Sequence, residues 1–174
     1  MTDRARFESL VVDTLDDLYR YALHLERDPV RAEDLLQGAL TRALTRIHQL
    51  RDDHAFRAWT CRIIHRSWQR RRPSPNEVVV DPSSLDNVIP LSTNGPDRRA
   101  ATAALSRSLA DALDDLPEEH RDAVWLVDGL GFKYREVAEV LGIPPGTAAS
   151  RVARGRMALR ETLADIAREE GVTR

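Results

Sequence analysis

The sequence predicts an all-α protein made of two small helical domains joined by a flexible linker. Three observations support this fold class: apolar residues recur at helical spacing in both halves of the chain, no stretch shows the alternation of a strand, and one middle segment has no period. The predicted boundaries are 1–72 for a three-helix bundle, 73–103 for the linker and 104–174 for the second domain. A chain of 174 residues is long enough for two such cores.

Three amphipathic segments are predicted to build the first domain. The first helix spans Phe7 to Glu26, and the second opens at Asp28-Pro29, where a capping Asp precedes a first-turn Pro, and runs to about Leu50. A polar loop with Asp53 as the expected cap leads to a third helix from about His54 to Arg72. The expected core positions of the second helix are Leu35, Leu36, Ala39, Leu40, Ala43, Leu44 and Ile47.

The linker and the start of the second domain follow from composition. Residues 73–100 contain Pro, Ser, Asn and Gly without a helical period, which is typical of a linker. A helix is predicted from Ala100 to Leu116. The next one begins at Pro117, because Pro suits a first helical turn and the two acids that follow suit its positive end.

The stretch from Leu116 to Arg160 is predicted to be a helix-turn-helix with its lead-in helix. Tyr134 to Leu141 forms a short helix, and Gly142 takes the left-handed conformation that the turn requires. Thr147 is expected to cap the last helix, which continues to about Glu170.

The outward face of that last helix favours contact with duplex DNA. Ala148, Val152 and Leu159 are spaced to face the core, and the segment from Thr147 to Arg160 contains four arginines and no acid. A helix-turn-helix places its second helix in the major groove, where Arg suits guanine edges and phosphates and Ser suits either. The outward residues are Ser150, Arg151, Arg154 and Arg156. An ordinary helical domain with a solvated basic face is the alternative.

A second basic patch lies in the first domain, although the net charge of the chain is only −2. Residues 57–72 carry six arginines and no acid. They indicate nucleic-acid contact, although a solvated run at a helix C-terminus is also favoured by the helix dipole. Phe56 and Trp59 are expected to pack in the core, whereas Trp68 could either pack or stack on a base.

Several classes of function find no support in the sequence. Cys61 is the only cysteine and is predicted to be a small buried residue, so no disulfide is expected. The five histidines lack the spacing of metal ligands, so neither a metal site nor a cofactor is expected. No phosphate-binding loop or catalytic set is present, so no enzyme is predicted. No apolar run approaches the roughly 20 residues of a membrane span and no signal peptide opens the chain, so a cytoplasmic protein is expected.

Two blocks of the chain together resemble bacterial sigma factors of the extracytoplasmic-function (ECF) group. One block follows that family's region 4 pattern, which reads LPxxxR, then G-[LF]-x-Y-x-E-[IV]-A, then LGIPxGTxxSRxxRAR. The matching residues are Leu116, Pro117, Arg121, Gly131, Phe132, Tyr134, Glu136 to Ala138, Leu141 to Pro144, Gly146, Thr147, Ser150, Arg151, Arg154 and Arg156. The other follows region 2, AEDLxQ and FRAWLxRIA, at Ala32 to Leu35, Gln37, Phe56 to Trp59, Arg62 and Ile63.

The resemblance implies a promoter-specificity subunit that works with core RNA polymerase, promoter DNA and an anti-sigma protein. Region 4 would read the upstream (−35) element as duplex, through Thr147, Ser150, Arg151, Arg154 and Arg156. Region 2 would melt and capture the downstream (−10) element, through Arg62, Arg66, Gln69, Arg70 and Arg71. The implied residues for binding core polymerase are Glu33, Asp34 and Gln37.

Four positions depart from the family pattern. Ala149 replaces a usual Lys or Arg, Arg66 a common Asn, Arg70 a common Asp, and Gly38 the acid that usually follows AEDLxQ. The promoter sequence therefore does not follow from the resemblance. The alternative function is a free-standing helix-turn-helix repressor or activator, which would need a dimer face or ligand domain and would leave the AEDLLQ and FRAW blocks without a role.

Overall fold

The computed structural model describes residues 2–72 and 108–169, and every regular element within them is helical. The predicted all-α class is thus confirmed, while the whole of the predicted linker, 73–103, lies outside the described residues. The helices are α1 (Asp3–Glu26), α2 (Pro29–Arg46), α3 (Phe56–Arg71), α4 (residues 108–114), α5 (Glu118–Val124), α6 (Tyr134–Leu141) and α7 (Pro145–Glu169). Short 3₁₀ helices cover Ile47–Gln49 and Asp53–Ala55, and Trp125–Gly129 is π-helical.

The described residues form two compact units. The first combines residues 2–72 with 132–145, and the second combines 108–131 with 146–169. In the first unit α1, α2 and α3 pack on one another, and α6 packs on α3. The guanidinium of Arg57 lies 4.4 Å from the centre of the Phe132 ring, a cation–π contact that joins this segment to the bundle. The sequence-based division had grouped 132–145 with the second domain.

The turn between α1 and α2 is fixed by local chemistry. Arg27 adopts the left-handed conformation, with φ of 55°, and its amide donates to the carbonyl of Leu23 at 2.8 Å, which ends α1. The next residue, Asp28, accepts a hydrogen bond from the amide of Arg31 at 2.8 Å, and Pro29 occupies the first turn of α2. The predicted cap is confirmed.

The end of α2 differs from the prediction. The α-helix stops at Arg46 rather than near Leu50, because the chain tightens into a 3₁₀ turn that still buries Ile47. Leu44, expected in the core, is 39% exposed. The expected cap Asp53 is also wrong: Asp52 accepts from the amide of His54, and Asp53 instead binds the Arg6 guanidinium at 2.8 Å.

The core of the first unit is aromatic at its centre. Phe56 is 1% exposed and meets Phe7 edge to face, with ring centres 5.8 Å apart. Tyr21 is fully buried, and its hydroxyl shares a 3.0 Å hydrogen bond with Nδ1 of the buried His65. Cys61 is buried as predicted, and burial raises the pKa of its thiol, which keeps it protonated and unreactive.

In the second unit α5 and α7 approach closely. Ala112, Leu116, Val124 and Leu159 form a buried cluster, and Gly155 of α7 faces α5. A Cβ atom added to Gly155 would lie 2.5 Å from Cγ2 of Val124, so the absence of a side chain lets the helices meet here.

We predict that Gly155→Ala destabilises the chain by about 1 kcal/mol. Alanine gains about 1 kcal/mol in helix propensity, but overpacking a filled core costs about 1–3 kcal/mol. The matched control is Gly146→Ala on the same helix, where an added Cβ has no atom within 4 Å and stability should hold or rise. Thermal unfolding measures both. Adding Val124→Ala should reduce the loss of stability, because it removes the side chain that the new Cβ meets. A higher melting temperature for Gly155→Ala would instead show that α5 and α7 can move apart without cost.

Candidate nucleic-acid and polymerase interfaces

A basic cleft opens between α2 and α3 in the first unit. Its volume is about 190 Å³. It is lined by Arg42, Arg46, Gln49, Trp59, Arg62, Ile63, Arg66, Ser67 and Arg70. Five of these side chains are guanidinium groups and none is an acid, so the cleft is suited to an anionic or acceptor-rich ligand.

The floor of the cleft contains one arginine held by hydrogen bonds and one with an unpaired buried donor. The Arg42 guanidinium donates to Oγ of Ser67 at 2.6 Å, and that hydroxyl donates to the carbonyl of Ile63 at 2.7 Å. The Nε atom of Arg62 is buried and has no hydrogen-bond partner among the described residues. A buried donor without an acceptor is costly, so Arg62 favours a ligand that supplies one.

The structure brings together three of the five α3 residues predicted to contact the downstream element. Arg62, Arg66 and Arg70 all line the cleft. Gln69 lies elsewhere, with its amide nitrogen 3.0 Å from Nε2 of His65.

Arg71, the fifth of these residues, also lies outside the cleft lining. It reaches α2, where its Nη2 is 3.2 Å from a carboxylate oxygen of Asp34, and its Nη1 is 4.0 Å from Glu26. Desolvation raises the pKa of Glu26, with Arg31 and Arg71 acting against that rise. Arg71 therefore interacts with acidic residues of the chain itself.

Six of the nine cleft-lining residues were not predicted as contacts from the sequence: Arg42, Arg46, Gln49, Trp59, Ile63 and Ser67. The i, i+4 spacing of Arg42 and Arg46 on α2 was a usable signal, because it places both side chains on one face of the helix. Trp59 was assigned to packing, yet its side chain is only partly buried and borders the cleft. Trp68, left open between packing and stacking, is 9% exposed and lies under the Arg72 guanidinium at 4.7 Å.

The residues predicted to bind polymerase share the first half of α2. Glu33, Asp34 and Gln37 are exposed, while the neighbouring Leu35 and Leu36 are buried. The three polar side chains therefore form one solvent-facing surface. A Cβ added to Gly38 would lie 3.7 Å from Nη2 of Arg71, so the acid usual at this position would reach the same guanidinium.

In the second unit α7 carries the residues predicted to contact the upstream element. The helix begins at Pro145, so Thr147 lies inside its first turn and does not cap it; its carbonyl accepts a hydrogen bond from Ser150 Oγ at 3.0 Å. Gly142, by contrast, takes the predicted left-handed conformation with φ of 69°.

The α7 arginines differ in their surroundings. Nη2 of Arg151 lies 2.7 Å from a carboxylate oxygen of Glu119. Arg156 binds Asp128 through two hydrogen bonds, of 3.0 and 2.6 Å. Arg154 is exposed and forms no ion pair or hydrogen bond with the residues that the structure describes.

The described residues contain neither a cluster suited to a metal ion nor a helix suited to a membrane. No group of three or more His, Cys, Asp or Glu side chains in 2–72 and 108–169 is placed to hold a metal ion. Within the same ranges, no helix has the length and apolar character needed to cross a membrane.

Comparison with known proteins identifies the family to which this chain is similar. Residues 10–74 match the family model of sigma-70 region 2, and residues 106–159 match that of sigma-70 region 4. The ECF RNA polymerase sigma factor SigL of Mycobacterium tuberculosis is 36% identical over 160 residues, which are 90% of this chain and 86% of that protein. The ECF sigma factor SigE of Mycolicibacterium smegmatis is 33% identical over 91% of the chain, which spans only 62% of that relative's length.

Among solved structures, the sigma factor RpoE of Bartonella quintana, determined in complex with the anti-sigma factor NepR, superposes with a TM-score of 0.65 at 25% identity. The match covers 91% of this chain and 96% of that one. The chain therefore belongs to the ECF group of RNA polymerase sigma factors, which are regulatory transcription initiation factors.

Proposed function

We propose that this sigma factor directs core RNA polymerase to its promoters with a division of labour between α2, α3 and α7. The exposed surface of Glu33, Asp34 and Gln37 on α2 binds core polymerase. The cleft between α2 and α3 captures the downstream element as a single strand. The outward face of α7 contacts the upstream element as duplex in the major groove.

The acid-free cleft is the observation that carries this proposal. A single strand presents phosphates and unpaired base edges, both rich in acceptors, and five guanidinium groups with the Trp59 ring beside them match that chemistry. A strand held in this way cannot re-pair, so its capture favours promoter opening. The chain itself supplies no catalysis in this scheme, because RNA synthesis belongs to the core enzyme.

Run-off transcription with purified core polymerase tests the proposal. Adding the chain should produce transcripts from a promoter that core enzyme alone does not use. Tight, sequence-specific gel shifts by the isolated chain, with no transcription in the reconstituted reaction, would instead support a free-standing repressor or activator.

The relative from Bartonella was solved with an anti-sigma factor, and we propose such a regulator as a partner here also. Because core polymerase and promoter DNA are the other partners, we place the chain in the cytoplasm.

Replacing Asp34 and Gln37 together with alanine should lower affinity for core polymerase without unfolding the chain. Both side chains are exposed, and the ion pair between Asp34 and Arg71 lies at the surface, where such pairs contribute about 0–1 kcal/mol. A pull-down against core enzyme measures the affinity, with Asp13→Ala on the exposed face of α1 as control. Unchanged affinity for the double variant would remove this surface from the polymerase interface.

A further inference from the structure

Arg71 lies at the junction where α1, α2 and α3 meet. It is the last residue of α3, Glu26 is the last residue of α1, and Asp34 lies in the second turn of α2. The Arg71 guanidinium reaches both acids, with Nη2 3.2 Å from Oδ2 of Asp34 and Nη1 4.0 Å from Oε1 of Glu26. The same Nη2 also donates to the backbone carbonyl of Asp34 at 3.4 Å. One side chain therefore ties the three helices together.

The two acids at this junction differ in exposure. The side chain of Glu26 is only 11% exposed, whereas that of Asp34 is 71% exposed. A nearly buried carboxylate retains a neighbouring cation, because departure of the cation would leave its charge unpaired. Glu26 therefore holds Arg71 from the inner side of the junction, and Arg71 in turn holds Asp34 on the solvent side.

Asp34 differs in this respect from the other two residues of the proposed polymerase-binding surface. The side chains of Glu33 and Gln37 form no hydrogen bond or ion pair with residues 2–72 or 108–169. Asp34 is held through Oδ2, while its Oδ1 has no partner in those ranges and stays available to another protein. A side chain that is already ordered loses less conformational entropy on binding.

The glycine one turn after Asp34 leaves this pairing without a competitor. A Cβ added to Gly38 would lie 3.7 Å from Nη2 of Arg71, so a longer acidic side chain at this position would take the same guanidinium. With glycine here, α2 offers Arg71 the carboxylate of Asp34. The departure from the family pattern at Gly38 thus favours the contact between Arg71 and Asp34.

We infer that Arg71 is a positioning residue of the polymerase-binding surface, holding Asp34 in the orientation that core polymerase contacts, and is not a contact of the downstream element. The inference rests on the proposed function, since it presumes that Glu33, Asp34 and Gln37 bind core polymerase. The adjacent Arg70 keeps its place in the cleft. Consecutive residues of a helix point about 100° apart, so the two arginines can serve different faces of α3.

The test uses the full chain and separates affinity for core polymerase from promoter opening. Affinity is measured by titrating the labelled chain with core enzyme, and open-complex formation is measured on a duplex promoter at saturating core enzyme. Arg71→Met keeps the aliphatic stem and removes the guanidinium. Its affinity should fall about two- to tenfold, the effect of having to order one free side chain on binding. Its promoter opening at saturation should match that of the wild type.

Arg70→Met is the matched comparison, because it makes the same substitution at the next residue. It should leave affinity for core polymerase unchanged and should lower open-complex formation at saturation. The opposite responses of the two variants would separate a protein-interface arginine from a cleft arginine at adjacent positions.

A double-mutant cycle shows whether Arg71 acts through Asp34. Substitutions of two residues in contact are not additive when one acts through the other. Asp34→Ala alone should lower affinity for core polymerase, and adding Arg71→Met to it should lower the affinity no further. A residue that only stabilised the fold would instead give a loss that is independent of Asp34.

Arg71→Lys controls for a loss of folding in the Met variant. Lysine keeps a positive charge beside Glu26, so the melting temperature should hold. A single ammonium group does not reproduce the planar fork that spans both acids, so affinity for core polymerase should still fall.

Three results would overturn the inference. They are unchanged or tighter binding of core polymerase by Arg71→Met, additive losses in the cycle with Asp34→Ala, and an opening defect of Arg71→Met at saturation equal to that of Arg70→Met. If Asp34→Ala alone leaves the affinity unchanged, the proposed polymerase role of this surface fails and the inference fails with it.

Discussion

Replacing Arg66 and Arg70 together with glutamine is expected to lower open-complex formation on a duplex promoter by roughly a hundredfold. Hydrogen bonds to charged groups contribute about 1.5–3 kcal/mol each, or about tenfold or more in an equilibrium constant. Both side chains line the cleft, and neither forms an ion pair with another described residue. In the proposed scheme, their contacts with the captured strand offset the cost of separating base pairs, so a template melted in advance should recover much of the loss.

Abortive initiation on duplex and bubble templates with the same upstream element measures this recovery. The double control Arg31→Gln with Arg51→Gln removes two exposed arginines that do not line the cleft, and should change both templates little. An equal defect of the cleft variant on both templates would assign Arg66 and Arg70 to a step other than opening.

Phe56→Ala is expected to destabilise the first unit by about 3–5 kcal/mol, the usual cost of removing a buried aromatic ring. Phe56 is 1% exposed and contacts the rings of Phe7 and Trp59, at 5.8 and 6.2 Å between ring centres. A loss of this size is a large share of the stability of a small domain. Denaturant or thermal unfolding gives the value.

Leu44→Ala provides the matched comparison for this prediction. Leu44 was expected in the core from the apolar periodicity of the second helix, but it is 39% exposed, so its truncation should cost under about 1 kcal/mol. If the two variants lose similar amounts of unfolding free energy, the exposed fraction of one of these residues does not reflect its contribution to stability.

Features that depend on adjacent residues were predictable from the sequence. The cap at Asp28, the Pro after it and the left-handed Gly142 were all predicted, because each depends on the conformational limits of one or two residues. The predicted end of α2 near Leu50 and the predicted cap at Thr147 were wrong for one reason. Apolar periodicity and capping preference do not specify where a helix begins or ends when a 3₁₀ turn or a first-turn Pro competes.

The candidate site was less predictable because its contacts span long distances in sequence. Arg71 and Asp34 are 37 positions apart, and Arg151 and Glu119 are separated by 32. Helical periodicity places an arginine on a face, but it does not identify the acid that will lie opposite that face. The cleft likewise required α2 and α3 to be side by side before Arg42 and Arg46 could be grouped with Arg62.

The close approach at Gly155 has an evolutionary consequence. The buried face of α7 and the ion pairs of Arg151 with Glu119 and of Arg156 with Asp128 anchor this helix, so its outward positions contribute little to the stability of the fold. Surface substitutions of that kind typically change stability by less than about 0.5 kcal/mol. Ala153 and Met157 are exposed on α7. Under the role proposed for this helix, single changes at these two positions would alter promoter preference at little cost to the fold. Under the same proposal, gene duplication followed by changes on the outward face of α7 would yield factors that share a polymerase but use different promoters.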